Sequence, residues 1–158
     1  MGPAWARSLT DAVADDPSRI ATGALHHGRF NSPEVLAAYR IGPDPEVDEL
    51  ARPTAVKENP GGFAGHLPTV AGGNFAIHRS AYLALGGMDA AYPGGAEETD
   101  FAWRAQQAGM KVVSVPQAVV HYRLKSEPRS LFRQQRIQQR GRIYLWTRYR
   151  DSSMQGPS

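Results

Sequence analysis

The 158-residue chain is predicted to adopt an α/β fold, with short strands flanked by helices. Three observations predict it. Helix-period and strand-like segments alternate along the chain, glycine pairs punctuate their ends, and a long arginine-rich helical stretch closes the sequence. The length suits one domain or a piece of one, and a hydrophobic content of 41% suits a packed core. The absence of cysteine excludes disulfides, thiolate metal sites and thiol catalysis. Residues Met1 to Arg7 lack a signal-peptide pattern, and no stretch approaches the roughly 20 apolar residues of a membrane span. A cytoplasmic protein is the default expectation.

Residues 3–14 predict a helix, because Trp5, Leu9, Ala12 and Val13 recur near helical spacing and Pro3 is tolerated in a first turn. Ile20 to Leu25 suits a strand. A short helix over 33–39 is opened by Ser32 as cap and Pro33 in the first turn. From Gly42 to Gly65 the prolines and interspersed acids predict a long loop, a lid, a binding loop or a surface excursion. Thr69 to Ile77 reads as a strand interrupted by Gly72-Gly73, and Ser80 to Leu85 as a short helix stopped by Gly86-Gly87. A helix over 97–108 ends at Gly109. Lys111 to Val115 and Ala118 to Tyr122 read as two short strands broken by Pro116. Residues 128–150 predict a long helix carrying Leu131, Ile137, Ile143, Tyr144 and Trp146 among seven arginines, with Gly141 as a weak point. Residues 151–158 read as a frayed tail, so the chain divides into 1–125, a basic helix over 126–150, and the tail.

Charge is uneven. Residues 1–122 hold nine basic against thirteen acidic side chains, and residues 123–158 hold nine against two. A basic end on a mildly acidic body suits an anionic partner, whether membrane surface, nucleic acid or phosphorylated substrate; a solvated helix without a partner explains it as simply. No nucleic-acid-binding motif is present, so nucleic acid is a minor alternative.

The densest chemistry lies in Gly94-Gly95-Ala96-Glu97-Glu98-Thr99-Asp100-Phe101-Ala102-Trp103-Arg104. Three carboxylates crowd the opening turn of the 97–108 helix, where partial positive charge and free N–H groups favour them. Helical spacing aligns Glu98 with Phe101, Ala102, Ala105 and Gly109, and sets Glu97, Asp100, Arg104 and Gln107 on a polar side. Glu98 is therefore the inward carboxylate, suited to a general base, although acids complementing the helix dipole would look the same. Asp100 has an alternative as an i,i+4 partner of Arg104. The neighbours His26 and His27 point to opposite strand faces and receive no role.

Four blocks share an order: Gly72-Gly73-Asn74-Phe75-Ala76-Ile77-His78-Arg79-Ser80, Gly86-Gly87-Met88-Asp89, the acid helix, and Val119-Val120-His121-Tyr122-Arg123. Over roughly residues 70–150 this order resembles the C-terminal half of family-two inverting glycosyltransferases. It is also similar to the C-terminal domain of galactosyltransferases that share the GT-A fold. The resemblance implies the C-terminal part of a GT-A mixed-sheet domain and transfer of a sugar from a nucleotide-sugar donor to a glycan or lipid-linked acceptor in cell-envelope synthesis. It assigns the base to Glu98, where the family usually carries Asp. It assigns to Glu97 and Asp100 acceptor contacts or a part in holding the helix, and to His121 a ligand to Mn²⁺ or Mg²⁺; Trp103 on the same helix stacks on a sugar ring or packs in the core. Gly72, Gly73 and Asn74 let the backbone approach donor sugar or acceptor, or form a tight turn with no ligand. The family's Asp-x-Asp motif, which holds metal and diphosphate, is absent from this sequence. The resemblance thus implies a half-enzyme inactive alone; a non-catalytic remnant or a subunit of a separate nucleotide-binding chain is the alternative.

Overall fold

The structure is a computed structural model that describes residues 2, 4–51, 57–59 and 61–156. Pro3, Pro53, Pro60 and the last two residues of the predicted tail lie outside this range. The elements run α1 (Trp5–Ala14), β1 (Arg19–His26), α2 (Pro33–Ala38), β2 (Lys57–Glu58), β3 (Phe75–Ile77), α3 (Arg79–Ala84), α4 (Glu97–Gln107), β4 (Lys111–His121) and α5 (Pro128–Tyr149). Turns of 3-10 helix occupy Gly28–Phe30 and Arg150–Ser152. The four strands make one mixed sheet in the order β2-β4-β1-β3. β1 and β4 are parallel, while β3 and β2 add antiparallel edges. The predicted α/β class is the one observed.

The central strands are covered on both faces. Ala21, Val113, Val115 and Ala118 pack under Leu9, Ala12 and Val13 of α1. Ile20 and Val112 pack under Phe101, Ala102 and Ala105 of α4. Alternate residues of one strand thus serve opposite layers, and each fully buried large side chain contributes roughly 1.5–3 kcal/mol.

Three expectations change. The two segments around Pro116 are one strand, β4, carrying a bulge. The register steps from Gly23↔Val115 to Ala24↔Val119, which leaves Pro116, Gln117 and Ala118 without ladder partners. Proline has no N–H for the ladder, so a bulge accommodates it without ending the strand. The stretch 71–74 is a turn rather than strand, closed by Asn74 N–H donating to Ala71 O at 2.7 Å. The chain after α5 does not fray through its described part: Met154 is buried beside Tyr92, Trp103, Leu145 and Tyr149, and Gln155 N–H donates to Ala64 O.

The long helix is buried along one narrow face. Gly141, Leu145 and Tyr149 are inside, whereas Ile137 and Ile143 are exposed. Gly141 is the point of closest approach, since a Cβ there would collide with the carbonyls of Gly94 and Gly95. The residue read as a weak point lets α5 seat on the loop that opens α4.

Candidate functional site

Gly94, Gly95 and Ala96 all have positive φ, at 102°, 81° and 72°. The first two are glycines, for which this costs little; Ala96 is strained by about 1–2 kcal/mol. Three left-handed residues in succession turn the chain abruptly into α4, and Gly141 holds the turn against α5. The acid pair Glu97-Glu98 therefore leaves the turn at a defined angle.

Glu98 lines a cleft of about 310 Å³ with Phe63, Thr69, Val70, Gly95, Thr99, Gln138 and Arg142. Burial raises its carboxyl above the ordinary value of 4.5; its own and the Ala96 backbone N–H groups oppose this, while the Glu97 charge adds to it. Gly72 borders the same carboxylate, because a Cβ at Gly72 would stand 3.1 Å from Glu98 Cγ. Gly73 faces open space. Glu97 is half-buried, and its Oε2 is inaccessible and without a hydrogen-bond partner among the described residues. Through Thr69 and Val70 the cleft shares a wall with a larger one, about 450 Å³, over the β1–β4 bulge.

Other candidates are occupied by the fold itself. Asn74 is buried, and its side chain spans the bulge: Nδ2 donates to Ala24 O at 2.9 Å and Ala118 O at 2.8 Å. Its Oδ1 accepts from Trp5 Nε1 at 2.7 Å. Buried and so engaged, the side chain is out of reach of a substrate. Trp103 is fully buried against His66 and Tyr149 and donates from Nε1 to Leu67 O. It is core, unable to stack on a sugar.

Asp100, expected on a polar side, is fully buried. It accepts from Arg104 Nε at 2.8 Å and Tyr149 Oη at 2.9 Å, and Arg148 stands 3.4 Å away. The i,i+4 alternative is the one observed, inside rather than outside, because α4 lies between the sheet and α5 and so has two buried faces. Arg104 also donates to Leu85 O and Gly87 O, tying the Gly86-Gly87 turn to α4.

His121 does not line the Glu98 cleft. It ends β4 directly beside His26, which ends β1, with ring centroids 6.0 Å apart. Paired residues on neighbouring strands project to the same face. Glu49, from the loop after α2, reaches them with Oε1 3.3 Å from His121 Nε2. One ligand atom from each of His26, Glu49 and His121 lies within 4.8 Å of the others. His26 Nε2 and His121 Nδ1 are buried without hydrogen-bond partners among the described residues. Two imidazoles and a carboxylate suit a divalent cation. Considering His26 and His27 only as neighbours missed this, since the relevant neighbour lies across the sheet. The available signal was that both histidines end strands.

Residues 52–126 match the family model described as the N-terminal domain of galactosyltransferase, just under half of the chain. The description says N-terminal where the resemblance had suggested a C-terminal domain; both name galactosyltransferases. No curated protein matches the chain. The matched stretch contains Gly72, Glu97, Glu98 and His121 and supports a glycosyltransferase-like domain.

Proposed function

We propose that this chain supplies the acceptor side of an inverting glycosyltransferase of GT-A type and family-two kind, with Glu98 as general base. The observation that carries the reading is the Glu98 carboxylate, held in a cleft and raised by burial, within the stretch that matches the galactosyltransferase model. A base with a raised pKa is better matched to a hydroxyl proton. Glu98 takes that proton as the acceptor oxygen forms its bond to the anomeric carbon from the side opposite the leaving group. The bond to the nucleotide diphosphate breaks in the same step, and the sugar carbon inverts. Glu97, half-buried beside it, is the second carboxylate of the acceptor side, and Gly72 leaves space next to Glu98 that a larger side chain would fill.

When bound, a divalent cation such as Mn²⁺ or Mg²⁺ supplies positive charge to the departing diphosphate. His121 is the residue the resemblance offers as its ligand, and the imidazoles of His26 and His121 favour Mn²⁺ over Mg²⁺. The sequence contains no Asp-x-Asp, so on this reading the remaining donor-side acids come from a nucleotide-binding half. The 158-residue chain by itself then leaves nucleotide sugars untransferred. Among the described residues no helix is long and apolar enough to cross a membrane. The exposed Phe132 and Ile143, set among six arginines of α5, support an acceptor presented at an anionic membrane surface.

Glu98→Gln tests the assignment in the active, complete form. It keeps shape and removes the proton acceptor, so turnover falls by roughly 10²–10⁴-fold with donor affinity little changed. A variant that keeps most of its turnover removes Glu98 from the role.

A further inference from the structure

We propose that His26, Glu49 and His121 form a complete three-ligand site for a borderline divalent transition metal, Zn²⁺, Co²⁺ or Mn²⁺, built by this chain alone. The proposal extends the reading of His121 as a metal ligand. It draws on two residues, His26 and Glu49, that lie outside the stretch matching the galactosyltransferase model.

Three independent features converge on the site. The first is the sheet: the β1–β4 pairing carries past the bulge to its last pair, His26↔His121, so both rings are set on one face by the two central parallel strands. The second is orphaned polarity. His26 is only 6% exposed, and its Nε2 has no hydrogen-bond partner among the described residues. A buried imidazole nitrogen without a partner costs roughly 1–3 kcal/mol, and a coordinated cation would relieve that cost. The third is the loop that brings Glu49. The Asp44 carboxylate accepts from the N–H groups of His27 and Gly28, both at 2.7 Å, and pins the loop to the end of β1. Glu49 then folds back over the strand ends, packed so closely on Gly2 that a side chain at Gly2 would collide with it.

The spacing suits coordination. Ligand atoms about 2.0–2.2 Å from a tetrahedral ion stand about 3.3–3.6 Å apart. The Glu49–His121 separation of 3.3 Å already meets this, and the 4.8 Å envelope of the set closes with small side-chain rotations. Two nitrogens and one oxygen select transition ions over Mg²⁺ and Ca²⁺, which prefer all-oxygen shells. Side chains of His121 and Glu49 keep 12% and 25% exposure, so one side of the site opens to solvent and to an exchangeable oxygen ligand.

The test uses the untagged 158-residue chain and Co²⁺ as the probe, followed by displacement with Zn²⁺. One equivalent of Co²⁺ is expected to give a visible d–d band that Zn²⁺ abolishes, and bound metal is expected to raise the melting temperature. His26→Ala should weaken binding by more than about 100-fold, beyond the loss of an outer-shell partner. Glu49→Gln, which keeps the size of the side chain and removes its charge, should weaken it at least tenfold. His27→Ala, a neighbouring histidine outside the set, should leave it unchanged. Absence of a stoichiometric band, or equal binding by wild type, His26→Ala and Glu49→Gln, overturns the site and leaves only a Glu49–His121 ion pair. Glu98→Gln is expected to keep the band. Turnover read in the active, complete form keeps the two readings apart: full turnover of Glu98→Gln removes the base assignment and leaves the metal site standing, whereas undiminished Co²⁺ binding by His26→Ala and Glu49→Gln removes the metal site and leaves the base assignment standing.

Discussion

Glu98 and Asp100 sit two residues apart on one helix turn and have opposite fates. Glu98 opens onto a cleft with its carboxyl raised by burial, whereas Asp100 is enclosed by Arg104, Arg148 and Tyr149. The Glu98 shift has a consequence for stability. A carboxyl whose folded pKa lies above its unfolded value holds more protons in the folded state. Stability from this group is present below the ordinary value of 4.5 and is lost as pH rises through the folded pKa. Glu98→Gln removes that loss, so the variant should melt above wild type near neutral pH. The difference should shrink toward zero below the ordinary carboxylate value, as thermal melts across pH will show. Asn74 supplies the complementary case. Asn74→Ala leaves Ala24 O, Ala118 O and Trp5 Nε1 without their partner, at about 1–3 kcal/mol for each such group that stays buried. A urea titration should give a clearly lower midpoint, as expected of a residue that holds the bulge.

Among the elements, α5 illustrates how a glycine is misread from spacing alone. In a helix interior, Gly141 costs roughly 1 kcal/mol relative to alanine. Against the Gly94 and Gly95 carbonyls it is the one residue that fits. Gly141→Ala should therefore destabilise, because overpacking against backbone costs about 1–3 kcal/mol and exceeds the propensity gained. Chemical denaturation checks the sign; a stabilised variant would mean that α5 is not seated there. The same contact sets Gln138 and Arg142 beside Glu98, so the cleft depends on how closely the helix seats. β4 was divided in two by Pro116 on the sequence reading. In the fold its halves are joined by a bulge that Asn74 fills, a pairing 44 residues distant along the chain.

At the scale of the molecule, one buried network joins α4, α5 and the turn after α3. Asp100 holds Arg104 and Tyr149, Arg104 holds Leu85 O and Gly87 O, and Arg148 bridges to Asp89 at 2.7 Å. Asp100→Ala removes the carboxylate that Arg104 Nε, Arg148 and the Tyr149 hydroxyl share, leaving Arg104 its two carbonyls and Arg148 its contact with Asp89. Breaking a buried pair costs about 3–5 kcal/mol, and the partial exposure of Arg104 and Arg148 puts the expected loss near the lower figure. Thermal melting and the near-ultraviolet signal of Trp103 and Tyr149 should fall together.

By itself the sequence determined the α/β class, most element positions and the Ser32 cap. Each rests on spacing within about four residues or on a motif read in order, and such information is local. Tertiary structure alone decided that Asp100 and Trp103 are interior, that Asn74 is spent on a bulge, and that Gly141 is a contact point. It also decided that His26 and Glu49 meet His121. The physical reason is the same throughout. These outcomes depend on what packs on the far side of a helix or beside a strand, and that neighbour comes from 40 to 100 residues away, where periodicity carries no signal.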